Sequence, residues 1–134
     1  MKVIGLTGGI GSGKSAVAAI LRDKYKAVIL DTDSIAKRQM EPGGESYNLV
    51  LEYFGNEILA PDGKIDRQKL AKIIFEDKSK RLKINELTHP VVLEEVKKEI
   101  EDRTKAGDTN YLVVETALMI EAGYDYICDE IWYV

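Results

Sequence analysis

Gly8-Gly9-Ile10-Gly11-Ser12-Gly13-Lys14-Ser15 matches the pattern G-x-x-x-x-G-K-[ST] at every fixed position. The chemistry it fits is phosphate binding. Successive backbone N–H groups must turn inward around an anion, in conformations that glycine reaches without a Cβ clash. A helix opening near Lys14 would add its free N–H groups and the positive end of its dipole. Lys14 is then placed to reach the β- and γ-phosphates of a triphosphate, and the Ser15 hydroxyl to ligate Mg²⁺. Magnesium keeps most of its water, so one hydroxyl plus phosphate oxygens suffices. The predicted triphosphate-binding set is therefore Gly9, Ile10, Gly11, Ser12, Gly13, Lys14 and Ser15. The dinucleotide fingerprint G-x-G-x-x-G fails, because from Gly9 and Gly11 its last position falls on Lys14.

Three acidic residues stand where such a ligand would need them. Asp31 and Asp33 follow an apolar run, at what should be the carboxyl edge of a sheet, where open α/β folds bind ligands. A carboxylate there can take the proton of an acceptor hydroxyl or orient it for in-line attack. The competing reading is that each aspartate only caps the helix that follows. Asp33 is the stronger catalytic candidate, beside Lys14. Glu115 closes the run Leu112-Val113-Val114 and occupies the place of a carboxylate that holds a magnesium water; the alternative is a buried or helix-capping acid. His89 precedes Pro90, which biases it toward an extended conformation at a helix entrance and suits packing or substrate contact better than catalysis. Cys128, the single cysteine, reads as an inert core thiol.

The elements that must position these groups are legible in outline. Val3 to Leu6 is a short apolar run bounded by glycine and reads as a strand buried on both faces. Val17, Ala18 and Leu21 share one face of a helix beginning at Lys14. Ala27 to Leu30 reads as a second buried strand, so strand, loop, helix and strand form one βαβ unit with a right-handed crossover. Residues 41–106 show several helical segments and little strand pattern. Pro42-Gly43-Gly44 and Pro61-Asp62-Gly63 mark turns. Asp66 is the predicted N-cap of a helix carrying Leu70, Ile73 and Ile74. Asp77 is the predicted cap of the next, with Leu82 and Leu87 inward. Pro90 is the predicted first residue of a third, with Leu93, Val96 and Ile100 on one face. Strands return at Tyr111-Leu112-Val113-Val114 and at Ile131-Trp132-Tyr133-Val134, where Trp132 and Tyr133 should be core.

Composition excludes several classes. With 134 residues, 45% apolar and 31% charged, the chain is ordinary for one globular domain of residues 1–134, with residues 41–106 as a helical insertion. Its net charge of −4 argues against a nucleic-acid partner held by a broad basic face. No apolar stretch approaches the ~20 residues of a membrane span, and one cysteine allows no internal disulfide, so a reducing cytoplasm and no membrane partner are expected. No oligomeric state is assigned. The last apolar strand has no crossover returning from it, so either it is an edge strand that ends the chain or the sequence is a fragment, the reading favoured here.

Taken together the motifs resemble dephospho-coenzyme A kinases. The matching stretches are residues 4–15, Leu30-Asp31-Thr32-Asp33-Ser34-Ile35-Ala36-Lys37, Glu41-Pro42-Gly43, Phe54-Gly55, Asp62-Gly63-Lys64-Ile65-Asp66-Arg67, Thr88-His89-Pro90 and the Glu121 region. The resemblance implies an α/β fold of the P-loop NTPase type: a parallel sheet with flanking helices and a helical substrate-binding insertion. It implies transfer of the ATP γ-phosphoryl to the ribose 3′-hydroxyl of dephospho-CoA, the last step of coenzyme A biosynthesis, with Mg²⁺. Asp33 would be the base, Arg67 and His89 substrate contacts, and Ser15 and Glu115 the metal side. Lys37 stands where relatives usually carry arginine, and Ala117-Leu118-Met119-Ile120-Glu121 replaces a proline-led run. The family continues past Val134 into an arginine-bearing lid and an adenine-binding segment, so this chain alone is expected to be a weak or inactive kinase. The alternatives are another small-molecule P-loop kinase of nucleoside type and a nucleotide-dependent switch. No N-K-x-D guanine reader occurs in the sequence.

Overall fold

The computed structural model describes residues 1–9 and 11–134. Four strands, β1 (Lys2–Thr7), β2 (Val28–Asp31), β3 (Tyr111–Glu115) and β4 (Glu130–Tyr133), form one parallel sheet in the order β2-β3-β1-β4. Among the described residues five α-helices flank it or lie outside it, α1 (Lys14–Tyr25), α2 (Thr32–Gln39), α3 (Glu45–Phe54), α4 (Arg67–Glu76) and α5 (Lys78–Ala106), with two short 3-10 turns at Asn56–Ile58 and Tyr124–Ile127. Two compact units result, one of residues 1–33 and 93–134 and one of residues 34–92.

The first unit contains the whole sheet. Strands β1 and β3 are each paired on both sides, and they read as continuous apolar runs because both faces are covered. Leu6, Leu112, Val113 and Val114 have no exposed surface. Ala18 and Leu21 of α1 pack with Ile4, Leu6, Ala27 and Val113, with Val17 half-buried at the margin. The two outer strands depart from expectation. Strand β2 is only half-buried along its length, and in β4 Trp132 is 39% and Tyr133 73% exposed, so neither belongs to the core. The reason is position: apolar character and alternation do not reveal which strand of a sheet lies at an edge.

Register sets up the site. Leu6 pairs with both Glu115 and Trp132, and Asp31 with Glu115, so Asp31, Glu115 and the exit of β1 share the carboxyl edge of the sheet.

The second unit is built on Val50, Phe54, Ile58 and Leu70, flanked by Met40, Ile65, Ile73 and Ile74. Asp66 caps α4 as its type predicts, accepting from the N–H groups of Gln68 at 3.0 Å and Lys69 at 3.2 Å. The turn at Pro61-Asp62-Gly63 is present, with Gly63 at φ +85° and the Asp62 carboxylate bonded to Lys64 N–H. Asp77 likewise accepts from Ser79 N–H at 2.9 Å at the start of α5. Leu82, expected inward, is 58% exposed.

Helix α5 overturns a larger expectation. It runs unbroken for 29 residues with Pro90 inside it, so Pro90 opens no new helix and His89 is helical rather than extended. An interior proline removes one helix hydrogen bond and costs about 3 kcal/mol. Val91, Val92 and Val96 on the same helix are at most 7% exposed, and burial contributes about 1.5 kcal/mol or more for each. The tertiary gain outweighs the local penalty. Among the described residues no helix is long and apolar enough to cross a membrane.

Candidate active site

The loop after β1 turns into α1 through two glycines that only a residue without Cβ adopts easily, Gly11 at φ +79° and Gly13 at φ +91°. Gly13 is the N-cap of α1 and supplies no side-chain cap, and no acidic residue lies in the first turn. The first N–H groups of α1 therefore keep their donor capacity for an anion. Ser12 N–H bonds back to the Gly9 carbonyl at 3.1 Å, closing the bend. A cleft of about 370 Å³ opens on this loop, lined by Gly8, Gly9, Gly11, Ser12, Gly13, Lys14, Ser15, Asp33 and Ala117. Of the predicted triphosphate-binding set, Ile10 lies outside the described residues; the other six line the cleft.

Ser15 and Glu115, a hundred residues apart in sequence, meet here. The Ser15 hydroxyl donates to Glu115 Oε1 at 3.2 Å, and Glu115 is 8% exposed at the end of β3. A hydroxyl and a carboxylate are hard oxygen donors, too few to hold a resident ion and suited to Mg²⁺ carried in on phosphates.

The two aspartates of the D-x-D divide their tasks. Asp31 Oδ1 accepts from Asp33 N–H at 3.0 Å at the start of α2, so Asp31 does the capping. Asp33, in the first turn of α2, is exposed and lines the cleft. The capping reading thus holds for Asp31. Burial, and secondarily the charge of Asp33, pushes the Tyr124 phenol up to about 12, so the Asp33 field reaches a buried tyrosine. Tyr124 is 3% exposed in a short 3-10 turn, Tyr124–Ile127. Nothing in its sequence surroundings marks it beyond the preceding Gly123. Ala117 stands out in the sequence only as the start of a run that departs from the family pattern; its place on the cleft depends on where β3 ends. Cys128 is half-buried, and burial with the nearby Asp129 and Asp125 charges pushes its thiol up to about 11, an unreactive state.

The second unit carries its own cleft, of about 530 Å³. Its lining combines the charged Lys37, Glu41, Lys64 and Arg67 with the apolar Met40, Ile65, Leu70 and Ile74. Arg67 is exposed at the first position of α4. His89 lines neither cleft; it is half-buried in α5, and desolvation holds its pKa below the ordinary imidazole value.

A family model described as dephospho-CoA kinase matches residues 2–134. The chain belongs to the dephospho-CoA kinase family. Curated dephospho-CoA kinases from Moorella thermoacetica and Carboxydothermus hydrogenoformans are each 45% identical over 134 residues, all of this chain. Those alignments span 63% and 64% of the two relatives, so the chain is about that share of their length. Among solved structures, a Thermus thermophilus protein superposes with a TM-score of 0.77 at 28% identity, covering 99% of this chain and 64% of its own. Dephospho-CoA kinase from Campylobacter jejuni gives 0.73 at 21% identity, covering 98% and 66%, a likeness of fold. The parallel sheet and flanking helices are those of a P-loop NTPase.

Proposed function

We propose that this chain carries the phosphoryl-transfer core of a dephospho-CoA kinase, moving the ATP γ-phosphoryl to the ribose 3′-hydroxyl of dephospho-CoA in the cytoplasm. The observation that carries this reading is the position of Asp33 on the wall of the glycine-loop cleft, with its capping duty taken by Asp31. The loop amides and Lys14 bind the triphosphate. The acceptor oxygen forms a bond to the γ-phosphorus, its proton passes to the Asp33 carboxylate, and the bond from phosphorus to the bridging oxygen breaks to release ADP. Ser15 and Glu115 would hold Mg²⁺, which neutralises charge developing on the phosphates. Lys37, Lys64 and Arg67 lining a cleft with apolar walls suit an acceptor that is both anionic and partly apolar, as dephospho-CoA is. Arg67 is kept as a substrate contact on that ground; His89 is kept only as a packing or substrate residue of α5.

The test offers the purified protein, at the full length of its relatives, ATP and Mg²⁺ with dephospho-CoA or a panel of nucleosides. Phosphorylation of dephospho-CoA alone is expected. Turnover of a nucleoside instead would favour the nucleoside-kinase reading, and phosphate release without acceptor a nucleotide switch. Asp33→Asn should lower kcat at least a hundredfold, at the low end of what a general base contributes (~10²–10⁴), while ATP affinity stays within about twofold. An Asn variant at full rate refutes the assignment of the base.

A further inference from the structure

Thr32 sits between the two aspartates and is 5% exposed. The β2–β3 ladder ends at the pair Asp31 and Glu115, and from Thr32 onward the backbone turns into α2. One residue past that last pair, the Thr32 hydroxyl donates to the backbone carbonyl of Glu115 at 3.2 Å, within the protein interior. Glu115 is thereby held at two atoms: its carbonyl by Thr32, and its carboxylate by Ser15 at 3.2 Å. The residue immediately after Thr32 is Asp33, whose own N–H is fixed by Asp31 at 3.0 Å.

We infer that Thr32 is a positioning residue for phosphoryl transfer, its hydroxyl clamping the start of α2 to the end of β3 so that Asp33 keeps register with the Ser15–Glu115 side. The inference rests on Asp33 being the base. Phosphoryl transfer demands that the acceptor and the phosphate be held to within fractions of an ångström, and a displacement of about 1 Å costs on the order of a hundredfold in rate. A backbone ladder cannot supply the constraint here, because the chain is already leaving the sheet. The side-chain bond supplies it instead. Asp33 is exposed, so the neighbours that fix its backbone set its direction.

Thr32→Val keeps the shape of the side chain and deletes the donor; Thr32→Ser keeps the donor and deletes a methyl. In the protein at the full length of its relatives, steady-state rates are measured with saturating ATP, Mg²⁺ and dephospho-CoA, ATP affinity by calorimetry, and folding by thermal melting. Thr32→Val should lower kcat between about tenfold and a hundredfold with ATP affinity within twofold, and Thr32→Ser should recover most of that loss. A merely structural threonine predicts a lower melting temperature for the valine variant at an unchanged kcat per folded molecule. That result, a loss that serine does not restore, or an equal loss of ATP affinity overturns the inference. If Thr32→Val does not fold, Thr32→Ala, which lets water reach the Glu115 carbonyl, is read in the same way. Asp33→Asn at full rate, or no turnover by the unsubstituted full-length protein, defeats the kinase reading beneath it. An inactive Asp33→Asn beside a fully active Thr32→Val defeats the positioning role alone.

Discussion

Replacing Lys14 by alanine should move stability and affinity in opposite directions. Lys14 is the first residue of α1, and the first turn contains no acid and no side-chain cap to offset its charge. A cation at the positive end of a helix dipole is unfavourable by about 0.3–1 kcal/mol. Lys14→Ala removes that repulsion from the free protein, so the unliganded fold should gain this amount. At about 4 °C per kcal/mol for a chain of this size, the melting temperature rises by roughly 1–4 °C. With a triphosphate bound the same ammonium makes a charge-assisted hydrogen bond, and losing it costs about 1.5–3 kcal/mol. The dissociation constant should then rise about 10- to 150-fold. Calorimetry with ATP and Mg²⁺, repeated with inorganic triphosphate, measures the second effect without and with the adenine removed. Trp132, the single tryptophan and a residue of β4, reports unfolding of the sheet-bearing unit by its emission. Affinity within twofold of the unsubstituted chain would refute the phosphate role. A lower melting temperature would show that the lysine is there to pack.

Two further outcomes test the helical unit. Asp66→Ala removes both acceptor contacts at the start of α4 and should destabilise by about 0.5–2 kcal/mol, read as a lower urea midpoint at unchanged slope, with Asp66→Asn close to the original. His89 has a folded pKa depressed by burial, so the unfolded chain binds its proton more readily. Its contribution to stability is complete above the ordinary pKa of about 6.5, is lost progressively as pH falls from there through the depressed folded value, and is constant below it. Stability measured against pH should lose that slope in His89→Gln; an unchanged slope assigns it to another group.

The phosphate loop was legible because its chemistry is local. Backbone amides wrapping an anion need glycines at fixed offsets and a lysine at the helix start, and all of these lie within eight residues. Asp66, Asp77 and the Pro61-Asp62-Gly63 turn were legible for the same reason, since each side chain bonds to backbone within three residues. Pro90 misled because its penalty is local while the burial that overrides it is not. Trp132 and Tyr133 misled because an edge strand and a central strand carry the same apolar residues.

The amino-acid sequence by itself determined the loop, the caps, the order of the strands along the chain and the pair of aspartates. Only the tertiary structure decided which aspartate caps and which faces the cleft, that Ser15 meets Glu115, and that Thr32 ties the two sides together. These contacts join residues 83 and 100 positions apart, and parallel strand register brings them to one edge. Register is settled by burial summed over the whole sheet, a quantity that no short stretch of residues contains.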